Sequence, residues 1–231
     1  MNFVRMIRIL PLLPVSWLSC CRIKDKSREA RWACTRRWAA RVLRWSGIRL
    51  HVYGADHLPE NCGILFVSNH QGTLDPAVVV CAVPFPVSFV SKKENASIPV
   101  LGRWAQAIDT IHFDRSSRSD NIYMFREVIR RLKQKRTLLI FPEGTRSRSQ
   151  QMQEFHPQAL QPGVKARAVI VPVALVNAHV LDVSAVCRDV SVHFGKPYFP
   201  ETCKEMSPPD LSACIQRDIQ AMIASDPLAC H

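Results

Sequence analysis

The sequence predicts an α/β fold, with a mixed, largely parallel sheet flanked by helices and an N-terminal helical, membrane-associated segment. Two observations predict the sheet and its helices: short apolar runs rich in β-branched residues recur along the chain, and longer amphipathic stretches separate them. A third observation, the uneven distribution of charge, predicts the N-terminal segment. At 231 residues the chain is long enough to bury one sizeable core.

Positive charge is concentrated near the N-terminus. Of the formal net charge of +12, residues 1–50 contribute +10, because they hold twelve Lys and Arg residues against Asp25 and Glu29. The rest of the chain contributes only +2. We therefore predict that residues 1–47 form basic amphipathic helices on a membrane and that residues 48–231 form the globular domain.

Residues 9–21 predict a membrane anchor rather than a spanning helix. The run is uncharged and apolar, but a spanning helix needs about 20 apolar residues, and Pro11 and Pro14 interrupt it. A cleaved signal peptide is the alternative, because Arg5 and Arg8 precede the run; however, no cleavage pattern follows it. We therefore predict that this segment dips into the membrane.

Residues 31–49 predict a basic amphipathic helix. Four arginines lie beside an apolar, aromatic stripe, which consists of Cys34, Trp38, Val42 and Trp45. This pattern is typical of helices on anionic membranes. A helix that packs on the protein body through its tryptophan face, or one that binds nucleic acid, would share it. Because no nucleic-acid motif follows and the neighbouring run is apolar, we favour the membrane and predict no nucleic-acid partner.

After Gly47, predicted strands and helices alternate. Strands are predicted at short runs of β-branched, aromatic and other apolar residues, which are residues 48–54, 63–69, 86–92, 110–115, 137–144 and 169–175. Residues 190–200 are predicted as a last strand and loop. Helices are predicted at amphipathic stretches or after a helix-starting Pro, which are residues 76–83, 97–108, 120–135 and 209–223. This alternation favours parallel strands joined by helices.

The nine cysteines show no Cys-x-x-Cys pair and no metal-ligand spacing. We predict that they are small buried hydrophobic residues in a reducing compartment, and we expect neither a disulfide framework nor a metal site.

The segment Ile64–Val80 joins a buried strand to a helix through a polar turn. Asn69 and His70 end the apolar run, and Asp75 is predicted as the N-cap of the following helix with a Pro at its first position. His70 and Asp75 therefore flank a strand-to-helix turn. In α/β proteins this edge of the sheet is where ligands bind.

A second polar loop, Phe141–Ser149, also follows an apolar strand. Gly144 allows a tight turn, and Thr145 and Arg146 offer hydrogen-bond donors, a combination that suits a phosphate. Glu143 would repel a phosphate, so we expect it to orient Arg146 or a substrate hydroxyl.

A third segment places Asp114 and Arg115 at the end of a short strand. Taken singly, each pattern has an ordinary structural explanation, such as a helix cap or a surface charge.

Four segments together carry a family resemblance. They read Asn-His-Gln-Gly-Thr-Leu-Asp at 69–75, His-Phe-Asp-Arg at 112–115, Phe-Pro-Glu-Gly-Thr-Arg-Ser at 141–147 and Val-Pro-Val at 171–173. In this order and at these intervals they resemble the motifs of the glycerophospholipid acyltransferases, a family that includes the lysophosphatidic acid (1-acyl-sn-glycerol-3-phosphate) acyltransferases. The resemblance spans about residues 48–224. One departure is Gly72, at a position where family members often have Ser.

The resemblance implies a role for each site residue. His70 and Asp75 match the catalytic pair, in which the histidine accepts a proton and the aspartate orients it. The residues implied to bind substrate are Asn69, Arg115, Glu143, Gly144, Thr145 and Arg146. An apolar tunnel or groove is implied for the acyl chain. No metal and no cofactor are implied, because the donor is an activated thioester, with acyl-CoA or acyl carrier protein as co-substrate.

The implied activity of the acyltransferase domain, residues 48–231, is acylation of a lysophospholipid at the cytoplasmic face of a membrane. Lysophosphatidic acid, which would give phosphatidic acid, is the acceptor that the motifs favour. Alternatives are another acceptor, such as a lyso-ornithine lipid or another lysophospholipid, and a non-catalytic membrane-binding protein. A hydrolase is disfavoured because the sequence has no Gly-x-Ser-x-Gly elbow and no metal-ligand cluster.

Overall fold

The computed structural model describes residues 3–184 and 188–229. In this part of the chain the α-helices are α1 (Phe3–Ile9), α2 (Leu12–Arg22), α3 (Arg28–Trp45), α4 (Asp75–Ala82), α5 (Leu101–Ala107), α6 (Arg118–Lys133), α7 (Gln161–Ala166), α8 (Val180–Val183), α9 (Pro200–Glu205) and α10 (Pro208–Ala224). The strands are β1 (Arg49–Tyr53), β2 (Ile64–Ser68), β3 (Val87–Lys92), β4 (Ile111–Phe113), β5 (Thr137–Ile140), β6 (Val169–Val176) and β7 (Asp189–Phe194).

All seven strands form one sheet in the order β1-β7-β6-β2-β5-β3-β4. Every neighbouring pair is parallel except β6 and β7, which are antiparallel. The predicted α/β class with a mixed, largely parallel sheet is therefore confirmed. Because β2 to β6 are mutually parallel, the loops that follow them meet at one edge of the sheet.

Two hydrophobic layers cover the two faces of the sheet. Strand β2 is buried over its whole length, and its alternate residues enter different layers: Phe66 packs with α3 and α4, whereas Leu65 and Val67 pack with α6 and α10. This two-sided burial explains why β2 reads as a continuous apolar run rather than an alternating one.

Some predicted elements differ from the structure at their ends. β5 ends at Ile140, not at 144, because Pro142 cannot continue a ladder and Gly144 adopts φ +72°. The segment 190–200, predicted as a last strand and loop, contains β7, which ends at Phe194; the Gly195 N–H still donates to the Pro172 carbonyl at 2.9 Å, in register with the β6–β7 pairing. α6 begins at Arg118, before the predicted start at 120, because the Ser117 hydroxyl caps it.

The apolar stripe of α3 is largely covered by the protein itself. Cys34 and Trp38 are buried, Val42 is partly buried, and Trp45 remains 44% exposed. The helix packs against α4, and its residues belong to the core layer on that face of the sheet. Packing through the tryptophan face, the alternative to membrane contact, therefore describes most of α3.

Several apolar residues of α1 and α2 are exposed instead, namely Phe3, Ile7, Val15 and Leu18, whereas Ile9 and Cys20 are buried. Leu10, between the two helices, is exposed as well. Among the described helices none is by itself long and apolar enough to cross a membrane. The consecutive helices α1 and α2, bent by 54° at their junction, meet the length and composition of a span only as a pair.

The cysteines of the described residues are free thiols. Cys20, Cys34 and Cys203 are buried, and burial raises the pKa of Cys20 and Cys203 to about 11. Cys187 and Cys230 lie outside the described residues.

Candidate active site

His70 and Asp75 form a close pair in the loop between β2 and α4. The His70 Nδ1 lies 2.7 Å from the Asp75 Oδ2, and the carboxylate is fully buried whereas the imidazole is 20% exposed. A carboxylate only accepts, so Nδ1 carries the proton and Nε2 is the basic nitrogen. The pair therefore presents an oriented basic nitrogen at the surface of the loop.

The Asp75 carboxylate turns back into the loop and does not cap the helix, so the predicted N-cap role is wrong. Asp75 is the first residue of α4, and Leu74 holds the N-cap position. The carboxylate accepts hydrogen bonds from the N–H groups of Gln71, at 2.7 Å, and Gly72, at 3.0 Å. These donors fix the carboxylate in the position where it orients His70.

Glu143 ties the two polar loops together. It is 3% exposed, and it accepts a hydrogen bond from the His70 N–H at 2.7 Å and another from the Gln153 N–H at 2.9 Å. Burial raises the pKa of Glu143, although both N–H donors act in the opposite direction. The prediction that Glu143 orients Arg146 is wrong, because its two carboxylate oxygens accept hydrogen bonds from the backbone N–H groups of His70 and Gln153 instead.

Phe141 fixes the face of the imidazole. Its ring stacks on the His70 ring with centroids 4.0 Å apart and an interplanar angle of 17°. In addition, the Ser147 N–H donates to the His70 carbonyl at 2.8 Å. The loop after β5 therefore contacts both the ring and the backbone of His70.

Of the two arginines predicted to hold phosphate, Arg146 lies in this loop and Arg115 lies next to it. Gly144 has φ +72°, and a Cβ built on it would lie only 3.2 Å from the Arg115 guanidinium. The loops after β4 and β5 are therefore adjacent. The Arg146 Nη1 donates to the Thr73 hydroxyl at 2.7 Å, which links it to the His70 loop. The Thr145 hydroxyl donates to Gln153 within its own loop, away from this cluster.

The Asn69 side chain is buried and binds the backbone of a neighbouring strand. It is 1% exposed, and its side-chain amide exchanges two hydrogen bonds with the backbone of Leu175, at 2.9 and 2.8 Å. It thereby extends the β2–β6 pairing by one step past the end of β2. The predicted substrate contact of Asn69 does not match this geometry, which gives it a positioning role.

Two further polar residues of the site were missed from the sequence. Thr73 lies between His70 and Asp75, and its hydroxyl alone was the available signal. Asp182, on α8, accepts hydrogen bonds from both the N–H and the hydroxyl of Thr73 at 2.9 and 3.1 Å. No local pattern indicates Asp182, because it is 109 residues away from Thr73 in the chain.

An apolar cavity of about 340 Å³ opens beside the His70 loop. Thr73 and Leu74 line it at that loop, and its other walls come from α1, α2, α3, α4 and α5, including Leu13 and Trp104. Among residues 3–184 and 188–229, no group of His, Cys, Asp and Glu side chains has a metal-binding arrangement.

The chain is similar in sequence to known proteins. A family model described as Acyltransferase matches residues 49–176, more than half of the chain. The chain is 30% identical over 134 residues to a 1-acyl-sn-glycerol-3-phosphate acyltransferase from Limnanthes douglasii, covering 58% of this chain and 47% of the relative. It is 31% identical over 147 residues to a lyso-ornithine lipid O-acyltransferase from Brucella abortus, covering 60% and 53%. The matches thus span about half the length of these curated relatives.

A solved structure shares the fold. It is the 1-acyl-sn-glycerophosphate (LPA) acyltransferase from Thermotoga maritima, with a TM-score of 0.73, 22% identity, and coverage of 95% of this chain and 96% of that chain. At this identity the likeness concerns the fold. The family match includes His70, Asp75 and the loop after β5, and on this basis the chain belongs to the acyltransferase family.

Proposed function

We propose that the protein transfers an acyl chain from acyl-CoA or acyl carrier protein to the free hydroxyl of lysophosphatidic acid, giving phosphatidic acid. The observation that carries the proposal is the His70–Asp75 pair, since it lies between an apolar cavity and an arginine-bearing loop. Membership of the acyltransferase family supports the reaction class. The name of the Limnanthes relative supports the acceptor.

The proposed mechanism uses His70 as the base and no covalent intermediate on the protein. The acceptor hydroxyl attacks the thioester carbonyl while the His70 Nε2 takes the hydroxyl proton, and Asp75 stabilises the imidazolium. When the tetrahedral intermediate collapses, the C–S bond breaks and the departing sulfur takes that proton. General-base catalysis contributes about 10²–10⁴-fold. The remaining acceleration comes from holding both substrates together.

In this proposal the acyl chain occupies the apolar cavity and the acceptor phosphate lies against Arg146 and Arg115. A guanidinium can make two parallel hydrogen bonds to phosphate. Arg146 suits this role because it is exposed and spends one donor on Thr73.

We also propose that α1 and α2 lie on the cytoplasmic face of a membrane. Several of their apolar side chains are exposed. Three basic residues stand at the end of α2 and just after it: Arg22, Lys24 and Lys26. Apolar side chains next to bases suit an anionic lipid surface. A lysolipid with its chain in this membrane could reach the cavity, because Ile9, Leu13 and Ser16 of α1 and α2 line it.

A lyso-ornithine lipid is the second candidate acceptor. The relative from Brucella abortus with that name matches at 31% identity. Both acceptors use the same attack on the thioester.

An acceptor panel tests the proposal. Purified full-length protein is given labelled acyl-CoA or acyl carrier protein with lysophosphatidic acid, lyso-ornithine lipid, or a monoacylglycerol of the same chain length. We expect the highest kcat/KM with lysophosphatidic acid and no turnover after His70→Ala, with membrane binding retained. Equal activity on monoacylglycerol, which has no phosphate, would contradict the phosphate site. An inactive wild-type protein, or His70→Ala with full turnover, would contradict the enzyme proposal.

A further inference from the structure

A continuous chain of hydrogen bonds runs from Asp182 through Thr73 to Arg146. The Asp182 carboxylate oxygen Oδ2 accepts from the Thr73 N–H at 2.9 Å and from the Thr73 hydroxyl at 3.1 Å. The same hydroxyl oxygen accepts from the Arg146 Nη1 at 2.7 Å. Three segments distant in sequence therefore meet at one hydroxyl group.

The direction of this chain follows from the hydroxyl's single proton. Because a carboxylate can only accept, the Thr73 proton lies towards Asp182. The lone pairs of the hydroxyl then remain for the Arg146 N–H. Arg146 has five N–H donors and uses one here, so the contact fixes the direction of the guanidinium and leaves the other donors to a ligand.

The approach of Asp182 to the loop depends on Gly72. A Cβ added at Gly72 would lie 2.6 Å from the Ala178 carbonyl oxygen and 3.4 Å from the Asp182 carboxylate. The first distance is shorter than a packed structure tolerates, so a Ser at this position would move the Asp182 segment away. Gly72 and Asp182 are thus parts of one local arrangement.

Thr73 also lines the apolar cavity. Its side chain therefore lies where a lipid would change from acyl chain to headgroup. Its neighbour along the hydrogen-bond chain, Arg146, is tied to the base through Ser147, whose N–H donates to the His70 carbonyl at 2.8 Å.

We propose that Thr73 and Asp182 are positioning residues that direct Arg146 at the acceptor's anionic headgroup and so determine headgroup specificity. Neither residue touches the reacting atoms in this proposal; each acts through Arg146. The inference rests on the proposed acyltransferase function.

The matched variants Thr73→Ser and Thr73→Val test this inference. Serine keeps the hydroxyl, whereas valine keeps the shape without it. With lysophosphatidic acid we expect Thr73→Val to raise KM about tenfold, since a hydrogen bond to a charged group is lost, with kcat little changed. Thr73→Ser should behave as the wild type, and with monoacylglycerol as acceptor the two variants should not differ. Equal KM values for the two variants with lysophosphatidic acid would overturn the inference.

A double-mutant cycle separates positioning from general damage. If Thr73 acts through Arg146, adding Thr73→Val to Arg146→Ala should cause no further rise in KM. Additive losses would show that Thr73 acts independently. Asp182→Asn is expected to raise KM in the same direction as Thr73→Val and to be non-additive with it; an unchanged KM would exclude Asp182 from the chain.

The outcomes for the wild type keep the two proposals distinct. A wild-type protein without turnover on any acceptor contradicts the acyltransferase proposal itself. An active wild type whose Thr73→Val and Thr73→Ser variants share one KM contradicts only the positioning role.

Discussion

His70 is held from four directions. Asp75 binds its Nδ1, Phe141 stacks on its ring, Glu143 accepts its backbone N–H, and Ser147 donates to its carbonyl. A base fixed in this way loses little orientational freedom when substrate binds, which is how positioning contributes to rate. The residues that flank the imidazole are therefore as important to the proposed chemistry as the carboxylate.

Asp75→Asn should strongly reduce turnover. The Asp75 carboxylate accepts hydrogen bonds from His70, Gln71 and Gly72. An asparagine has only one accepting oxygen, and its NH₂ group is itself a donor, so it would face these N–H donors without forming a hydrogen bond. We expect kcat to fall about 10²–10⁴-fold, the range of general-base catalysis, with a smaller change in KM. Steady-state kinetics measures this.

The control for Asp75→Asn is the exposed pair of Asp56 and His57, which lie 3.4 Å apart with both side chains at least 75% exposed. Asp56→Asn makes the same chemical change outside the site and should leave kcat unaltered. Comparable loss in both variants, or full kcat in Asp75→Asn, would contradict the role of Asp75.

At the scale of elements, a buried arginine attaches α1 to the rest of the protein. Arg5 is fully buried, and its guanidinium donates to the carbonyls of Ser46, at 3.0 Å, and Ser184, at 3.1 Å. Its helix and the next one form a wall of the apolar cavity. Arg5 was predicted to lie in a basic, membrane-facing segment, but its buried charge does not face a membrane.

Arg5→Met should loosen the N-terminal helices. The change leaves two carbonyls without their charged donor, and a lost hydrogen bond to a charged group costs about 1.5–3 kcal/mol. We expect a lower free energy of unfolding and faster proteolysis within α1 and α2. Arg8→Met on the exposed side of the same helix is the control and should change neither. A stable, protease-resistant Arg5→Met would show that Arg5 does not anchor the helix.

Glu127 makes the stability of α6 pH-dependent. Hydrogen bonds from Arg130 and then Arg131 lower the pKa of Glu127 from 4.5 to about 2. A carboxyl whose pKa is lower in the folded state stabilises the fold above its unfolded pKa, and this contribution is lost as the pH falls towards 2.

We therefore expect Glu127→Gln to lower Tm near neutral pH and to match the wild type near pH 2. Thermal unfolding across this pH range measures the effect. The exposed Glu154 gives the control, since Glu154→Gln should leave Tm unchanged. A Tm difference for Glu127→Gln that is constant with pH would contradict the ion-pair explanation.

At the scale of the whole molecule, folding makes part of the N-terminal positive charge unavailable to a membrane. Arg5 is buried, Arg31 pairs with Asp109 at 2.9 Å, and Arg49 pairs with Asp189 at 2.6 Å. The net charge of the first 50 residues therefore overstates the field available to lipids. Exposed bases near α2, such as Lys24 and Lys26, remain.

Lys24→Gln with Lys26→Gln should weaken binding to anionic vesicles by about thirtyfold, since each basic residue near the surface contributes about 1 kcal/mol and two are removed. Binding to neutral vesicles should not change. The control, Lys133→Gln with Lys135→Gln, removes two exposed bases at the far end of α6. Vesicle sedimentation measures the partition, and equal effects of the two pairs would contradict a membrane face at α2.

Much of the fold and part of the site were predictable from local pattern. The β-branched runs gave the strands, and the apolar run that ends in Asn69 and His70 placed the base at a sheet edge. The end of β5, at Ile140, was misplaced at 144, because the sequence pattern does not show where the ladder of hydrogen bonds stops.

The sequence by itself determined the strand–loop–helix order and placed His70 and Asp75 on one strand-to-helix turn, because these depend on short spacings. The pairing of the two residues was implied by the family resemblance. Only the tertiary structure decided that Asn69 binds Leu175, that α3 packs inward, and that Asp182 reaches Thr73. Contacts between segments a hundred residues apart leave no periodic trace in a single chain. They arise when burial of the apolar layers fixes which loops share an edge of the sheet.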